Sequence, residues 1–332
     1  MTASALAPRR ASNDNTPRSA GPGELGVYDN AAWKAGGARL SILIPTYRDD
    51  AAELVDALGA CSSSDQAEII VYDDGSRSAA LTARLCNAAR RSASPVRIVS
   101  ALNNHGRALA RNTLATHARA DWRLYLDADM LPGDTNFLAR HLAEMERLGA
   151  RPALVVGGYR TPEGPVAADY RLHLWQAQRS ECPPAKVRAR NPGLYVFSCN
   201  VLAHRRVFET CAFDEGFDGW GWEDTDWGLR AAMHFHIVHI DNPAIHLGLD
   251  NDATLMAKYR ASAANFARLA ARHPEAIEDS PLYRAARGMR PLPLRSPARA
   301  FMERAASART LPAPVRGYAL KTWRALVYSA AL

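Results

Sequence analysis

Cysteine is scarce in this chain: there are five, at positions 61, 86, 182, 199 and 211, and no two form a C-x-x-C pair. An odd, scattered set excludes a disulfide scaffold and a structural zinc site. No apolar run approaches the roughly 20 residues that cross a bilayer, so a membrane-spanning helix is excluded too. Residues 1–20 lack the apolar stretch of a secretory signal, and a reducing cytosol is the expected setting. Aromatic residues make up only 8%, and the net charge of +7 is unevenly placed. Residues 281–332 hold ten Lys/Arg against a single acid, Glu303, a balance of +9 that leaves −2 for everything before them. A basic tail with few aromatics to stack on bases argues against nucleic acid as a partner and for an anionic membrane surface.

What the chain does have is enough apolar content, 48% of 332 residues, to bury a full core. Residues 1–38, rich in Ala, Ser, Pro and Gly, read as a disordered leader. Residues 39–275 read as one α/β domain with a mostly parallel sheet. Residues 276–332 read as a basic, partly amphipathic helical extension. Apolar runs at Leu40–Thr46, Glu68–Tyr72, Val96–Val99, Trp122–Leu126 and Ala153–Val156 have strand character, and helical patterns separate the first four. That alternation predicts parallel pairing. A further strand is expected at Leu194–Phe197.

Polar clusters follow three of these strands: Asp73 and Asp74, then Asn103 to Arg107 with Arg111, then Asp127 and Asp129. Each alone is also a turn or capping signal. Together they deliver polar groups to one sheet edge, as a nucleotide site at a switch point requires. If the strand continued through Asp129, both carboxylates would project from one side, because side chains alternate with period two. Such a pair suits a hard divalent cation carrying a diphosphate. Further on, Gly219-Trp-Gly-Trp-Glu-Asp224 sets two tryptophans beside two acids. The acids open a helix, and a sugar ring could stack on an indole while a carboxylate takes a hydroxyl proton. His246 stands where an imidazole could complete a carboxylate metal site.

At the end of the chain, Val315, Tyr318, Ala319, Trp323, Leu326 and Ala330 share one side of a helix, with Lys321 and Arg324 opposite and Arg316 off the pattern. The stripe suits an interfacial membrane helix, and equally suits packing on the body of the protein.

Taken together, Ser41-Ile-Leu-Ile-Pro-Thr-Tyr47, Ile69-Ile-Val-Tyr-Asp-Asp-Gly-Ser76, Ala110-Arg-Asn112, Leu126-Asp-Ala-Asp129 and Gly219-Trp-Gly-Trp-Glu-Asp224 resemble a family 2 glycosyltransferase of GT-A fold. The resemblance implies that Pro45, Tyr47, Asp73 and Asp74 line the nucleobase and ribose pocket, with Arg107, Arg111 and Asp127 near the nucleotide. It implies a DXD motif at Asp127 and Asp129 that, with His246, holds Mn²⁺ or Mg²⁺. The Gly-Trp-Gly-Trp-Glu-Asp segment resembles the acceptor motif of galactosyl-, N-acetylgalactosaminyl- and chondroitin-type transferases. By that likeness Trp220 and Trp222 bind acceptor, Asp224 is the general base, and Glu223 stands beside it. The implied reaction is inverting transfer of a sugar from a nucleotide-sugar donor, UDP-linked by expectation, to a glycan or lipid-linked acceptor in envelope or exopolysaccharide synthesis. A retaining transferase on the same fold and a non-catalytic nucleotide-binding scaffold are the competing readings. Arg77 departs from the family, which often has an acid near this position.

Overall fold

The computed structural model describes residues 26–332. Its strands, in chain order, are β1 (Gly26–Asp29), β2 (Leu40–Thr46), β3 (Ala67–Asp73), β4 (Val96–Ser100), β5 (Trp122–Leu126), β6 (Met130–Leu131), β7 (Ala153–Val156), β8 (Tyr159–Arg160), β9 (Asn200–His204), β10 (His236–His239) and β11 (Ala244–His246). Between them run α1 (Ala52–Gly59), α2 (Ala79–Arg91), α3 (Arg107–His117), α4 (Phe137–Leu148) and α5 (Arg171–Ser180). Eight strands form one sheet in the order β1-β4-β3-β2-β5-β9-β7-β10, and β6-β11-β8 form a second, small one.

Parallel pairing joins β2 to β3 and β5, β3 to β4, and β7 to β10, while β9 runs antiparallel between β5 and β7. Helices cover both faces of the large sheet, which is why β2 and β3 are apolar along nearly their whole length and do not alternate. Ile42, Ile44, Ile69 and Val71 pack on Leu54 of α1, Leu85 of α2 and Phe137 of α4. Leu43, Ile70 and Tyr72 pack on the other side with Ala108 and Leu114 of α3 and with Trp227. The order reverses between β2 and β5, so the strand ends there open a crevice where α/β sheets bind ligands.

The small sheet has a positioning role. β6 follows the turn after β5 and pairs with β11 so that His246 lies opposite Met130, which carries the imidazole to the carboxylate turn from 117 residues away.

The expected disordered leader divides in two. Its first 25 residues lie outside the described residues, but residues 26–38 are structured. β1 pairs antiparallel with β4 over four residues, Tyr28 and Trp33 are buried, and Arg119 and Arg97 lie over the Trp33 ring at 3.7 and 4.5 Å. The buried Asn30 side chain donates to Ala89 and Ser94 carbonyls and accepts from the Val96 N–H. A four-residue edge strand is too short to show a period, so composition alone hid it.

The strand expected at Leu194–Phe197 is a 3-10 turn, Pro192–Tyr195. The strand of that region is β9 instead, whose Asn200 is buried among backbone carbonyls.

The last helix of the tail packs on the body of the protein. The helix Ala313–Tyr328 lays Trp323, Leu320, Leu326 and Tyr328 into a core shared with Leu172, Leu255, Tyr259 and Phe266. Only part of the expected stripe faces inward: Val315 is 49% and Tyr318 62% exposed. The off-pattern Arg316 is buried and pairs with the buried Asp252 while donating to the Ala306 carbonyl. Gly317 lets this helix approach α5 so closely that a Cβ would stand 2.1 Å from the Trp175 ring. Part of the stripe thus packs on the body of the protein.

Candidate active site

The three polar clusters meet at the C-terminal ends of β3, β4 and β5, and each does something different there. Asp74 is buried and accepts the backbone N–H groups of His105 and Gly106 at 3.0 and 2.9 Å, with the Asn104 side-chain amide at 3.0 Å. It thereby fixes the entry to α3. Burial raises its pKa, and those donors only partly offset the effect. Asp73 caps the Ser76 N–H and shares a small cleft with Thr46, Asp49 and Ser76. Gly75 is required at this corner, because its φ is +81° and a Cβ would collide with the Asn103 backbone at 2.4 Å. Pro45 is the last residue but one of β2, and Tyr47, just past the strand end, is exposed with the Arg48 guanidinium 4.9 Å from its ring centre. Arg77, the residue that departs from the family pattern, turns away to the Leu102 carbonyl and Asn103.

Asp127 and Asp129 lie beyond the end of the strand. β5 ends at Leu126 and the two acids lie on a turn closed by the Met130 N–H donating to the Asp127 carbonyl, so the period-two expectation does not extend to them. Asp127 accepts from Arg111 at 2.8 Å. Asp129 accepts from His246 Nε2 at 3.1 Å. Burial works against the Asp129 carboxylate, but the His246 hydrogen bond and charge and the Arg107 charge outweigh it and hold its pKa below the usual value. Burial likewise opposes His246, and Asp129 overrides it and raises the imidazole pKa.

Behind this pair lies a charge cluster. The Arg111 guanidinium, 1% exposed, stands between Asp127 and Glu223, whose Oε1 is 3.7 Å from both Arg111 and Arg107. Asp224 follows on the helix Glu223–Ala232, held by the Thr225 N–H at 2.9 Å. Burial, then the Glu223 charge, push its pKa up to about 7, with Arg111 and Arg107 pulling the other way. Trp222, which precedes them, has a φ of +79°, uncommon for a bulky side chain and a sign of local strain. Gly219 and Gly221 share that left-handed region. The strain turns Trp222 onto Phe266 and Tyr328, with ring centres 5.0 and 6.1 Å away, while Trp220 meets Tyr259 edge-on at 5.8 Å.

Some members of the site had no clear mark in the sequence. Asp49 lies in a cleft with Asp129 and Gly248, and burial followed by repulsion from Asp129 raises its pKa. Tyr159 packs edge-on against His246 at 5.4 Å and donates to Glu181 at 2.6 Å. The Cys199 thiol is buried, and desolvation with the charges of Asp127, Asp224 and Asp129 keeps it protonated. A signal for Asp49 was present in its place two residues after Tyr47 at a strand end. Glu181 and Tyr159 carry none.

Among the described residues, no three His, Cys, Asp or Glu side chains gather closely enough to form a complete metal cage. Asp129 and His246 nonetheless suit one. At Gly248 a Cβ would fall 1.9 Å from the Asp129 carboxylate and 3.1 Å from His246 Nε2, so the glycine leaves open the space these two groups face. A carboxylate and an imidazole are an adequate protein share for Mn²⁺ or Mg²⁺ when substrate phosphates supply the other ligands. Asp127, the other acid of the expected metal pair, has its Oδ1 bonded to Arg111.

The family model of glycosyl transferase family 2 matches residues 41–211, from β2 past β9. Among solved structures, the chain is similar to a mannosyltransferase from Pyrobaculum calidifontis in complex with GDP-Man and Mn²⁺. The two are 17% identical, with 91% of this chain and 88% of that one covered at a TM-score of 0.57. It is also similar to residues 1–349 of TarS from S. aureus in complex with UDP-GlcNAc, at 14% identity, 88% and 91% coverage and a TM-score of 0.50. At such identities the likeness speaks for the fold, which is GT-A. No curated protein sequence matches the chain.

Proposed function

The chain belongs to glycosyl transferase family 2, and from that membership we propose that it is a metal-dependent inverting transferase moving a sugar from a nucleotide-sugar donor to an acceptor hydroxyl. The observation that carries the reading is Asp224, a half-buried carboxyl whose pKa is pushed up to about 7 beside Glu223 and the Arg107/Arg111 pair. A general base works best with a pKa near the operating pH.

In this reading Arg107 and Arg111 offset the negative charge of the donor diphosphate, and Asp74 organises the loop that begins α3. Asp129 and His246 would hold Mn²⁺ or Mg²⁺, which when bound neutralises charge on the departing diphosphate. The acceptor hydroxyl oxygen forms its bond to the anomeric carbon as the bond from that carbon to the diphosphate oxygen breaks. Asp224 takes the hydroxyl proton, and the nucleoside diphosphate leaves with the electron pair. A single displacement of this kind inverts the anomeric centre. The resemblance makes UDP the expected nucleotide and an envelope or exopolysaccharide glycan the expected acceptor. On this reading residues 39–275 are the catalytic domain and the helices after them a buttress to its acceptor side.

The test is release of nucleoside diphosphate from a panel of UDP- and GDP-sugars with Mn²⁺ or with EDTA, followed by NMR of the product. Metal-dependent release and an inverted anomeric configuration are expected. Retention of configuration would establish the retaining reading, and tight donor binding with no turnover would establish the scaffold reading.

A further inference from the structure

Several cations around the helix Ala313–Tyr328 have a carboxylate partner: Lys258 has Asp250, Arg260 has Glu303, Arg309 has Asp169 and Arg316 has Asp252. Three that lie together have none among the described residues. Arg179, at the end of α5, and Lys321, on the helix Ala313–Tyr328, both approach the Trp175 ring, at 4.9 and 5.3 Å from its centre. Arg324, one turn on, lies 4.1, 5.2 and 5.3 Å from the ring centres of Tyr259, Tyr328 and Trp222, and its Nε is buried without a hydrogen-bond partner. The acid among them is Glu181, whose oxygens already accept from the Tyr159 and Tyr259 hydroxyls at 2.6 and 3.4 Å. Burial disfavours the Lys321 ammonium, and repulsion from Arg179 and Arg324 adds to it. A fold that pairs its neighbouring cations gains nothing in stability from leaving like charges against one another.

Position supplies the reason for keeping them. Arg324 touches Trp222, the residue immediately before Glu223 and Asp224. Glu181 links the two sides: Tyr259, which donates to it, lies under Arg324, and Tyr159, which also donates to it, packs edge-on against His246. The cations therefore border the site on the side of the two tryptophans, away from the nucleotide end at β2 and β3. Aromatic rings beneath guanidinium groups favour a flat, oriented cation that can grip an anion bidentately.

We propose that Arg324, Lys321 and Arg179 form an anion subsite for the acceptor, so that the preferred acceptor is a saccharide bearing a carboxylate or phosphate group close to the hydroxyl that is glycosylated. This rests on the transferase reading above and names the acceptor class for that site.

The test uses the full chain titrated with glucose, glucuronate and glucose 6-phosphate, probes of similar shape that differ in charge. The two charged sugars are expected to bind at least tenfold more tightly than glucose, with the difference shrinking as salt rises. Whichever binds more tightly tells carboxylate from phosphate. Arg324→Met is expected to reduce the tenfold preference to less than threefold. Because Arg324 also packs among three rings, Arg179→Met, at an exposed position, serves as the second variant and should reduce the preference in the same direction. Equal binding of all three sugars, or an unchanged preference in both variants, overturns the proposal. The donor side is read separately on the wild-type chain. Nucleoside diphosphate release without charge preference overturns this inference and leaves the transferase reading standing, whereas charge preference without release upholds the subsite and overturns that reading.

Discussion

His246 Nε2 lies 3.1 Å from Asp129 Oδ2, two groups held together because β11 pairs with β6 immediately after the acidic turn. The pairing sets the imidazole by backbone register, so the contact does not depend on flexible side chains finding one another. His246→Ala and Asp129→Ala should each weaken Mn²⁺-dependent donor binding by at least the roughly tenfold to hundredfold that loss of even an outer-shell metal partner costs. Neither should move the unfolding midpoint by much, since both groups lie at the crevice and not in the core. Calorimetry of UDP-sugar binding with and without Mn²⁺ reads the first effect and a thermal melt the second. Metal-dependent binding that survives both substitutions would move the cation elsewhere.

Gly248 offers an independent probe of the same space. An added Cβ would meet the Asp129 carboxylate at 1.9 Å, and the nearest atom is the end of a side chain, so the carboxylate can swing aside. Gly248→Ala should therefore leave the fold intact while turning Asp129 away from His246. Loss of Mn²⁺-stimulated turnover with an unchanged melt is the expected result, and full activity in this variant would show that the Asp129 orientation seen here is not the working one.

How far the sequence reveals this molecule follows from what kind of signal each part emits. Buried parallel strands such as Leu40–Thr46 and Ala153–Val156 are legible because covering both faces forces an apolar run. The strand-end clusters are legible for the same reason: a run of Ile and Val breaks abruptly into acids. Beyond the strand the signal stops, and alternation says nothing of Asp127 and Asp129 because the backbone turns after Leu126. β9 was hidden because its ends, Asn200 and His204, are polar residues buried through hydrogen bonds that no periodicity records. Arg316 looked like an error in an apolar stripe and is instead a buried ion pair with Asp252. Its partner is 64 residues away, and long-range pairing of this kind is invisible to a helical wheel.

The packing of the tail predicts that it cannot be removed cleanly. Trp323 is fully buried, and its indole donates to Glu303 at 3.2 Å. Trp323→Ala should cost about 3–5 kcal/mol, and Arg316→Ala should destabilise as well, because it would leave the buried Asp252 only the longer contact with Arg309, at 3.8 Å. Deleting residues 281–332 would expose Phe266, Tyr259 and the Trp222 ring that buttresses the site. Denaturant melts of the two point variants and the solubility of the truncated chain check this. A truncated chain that is soluble, folded and fully active would show that the tail's packing is dispensable.

Asp224 should reveal itself through pH in two opposite ways. As a base it must be ionised, so with a pKa of about 7 turnover should fall as pH drops through 7, to about a tenth by pH 6. Asp224→Asn removes the proton acceptor while keeping the shape, and turnover should fall by roughly two to four orders of magnitude with donor affinity nearly unchanged. Stability runs the other way. Folding raises this carboxyl above its unfolded value of 3.8, so the folded state favours the proton more than the unfolded state does, and ionisation destabilises the fold as pH climbs from about 4 to 7. The Asn variant escapes that penalty. It should therefore unfold at a higher temperature than the wild type at pH 8, with the gap closing as pH falls toward 4. An inactive variant that melts below the wild type at pH 8 would mean that Asp224 is a structural carboxylate, and the search for the base would pass to Glu223, whose buried Oε2 has no hydrogen-bond partner.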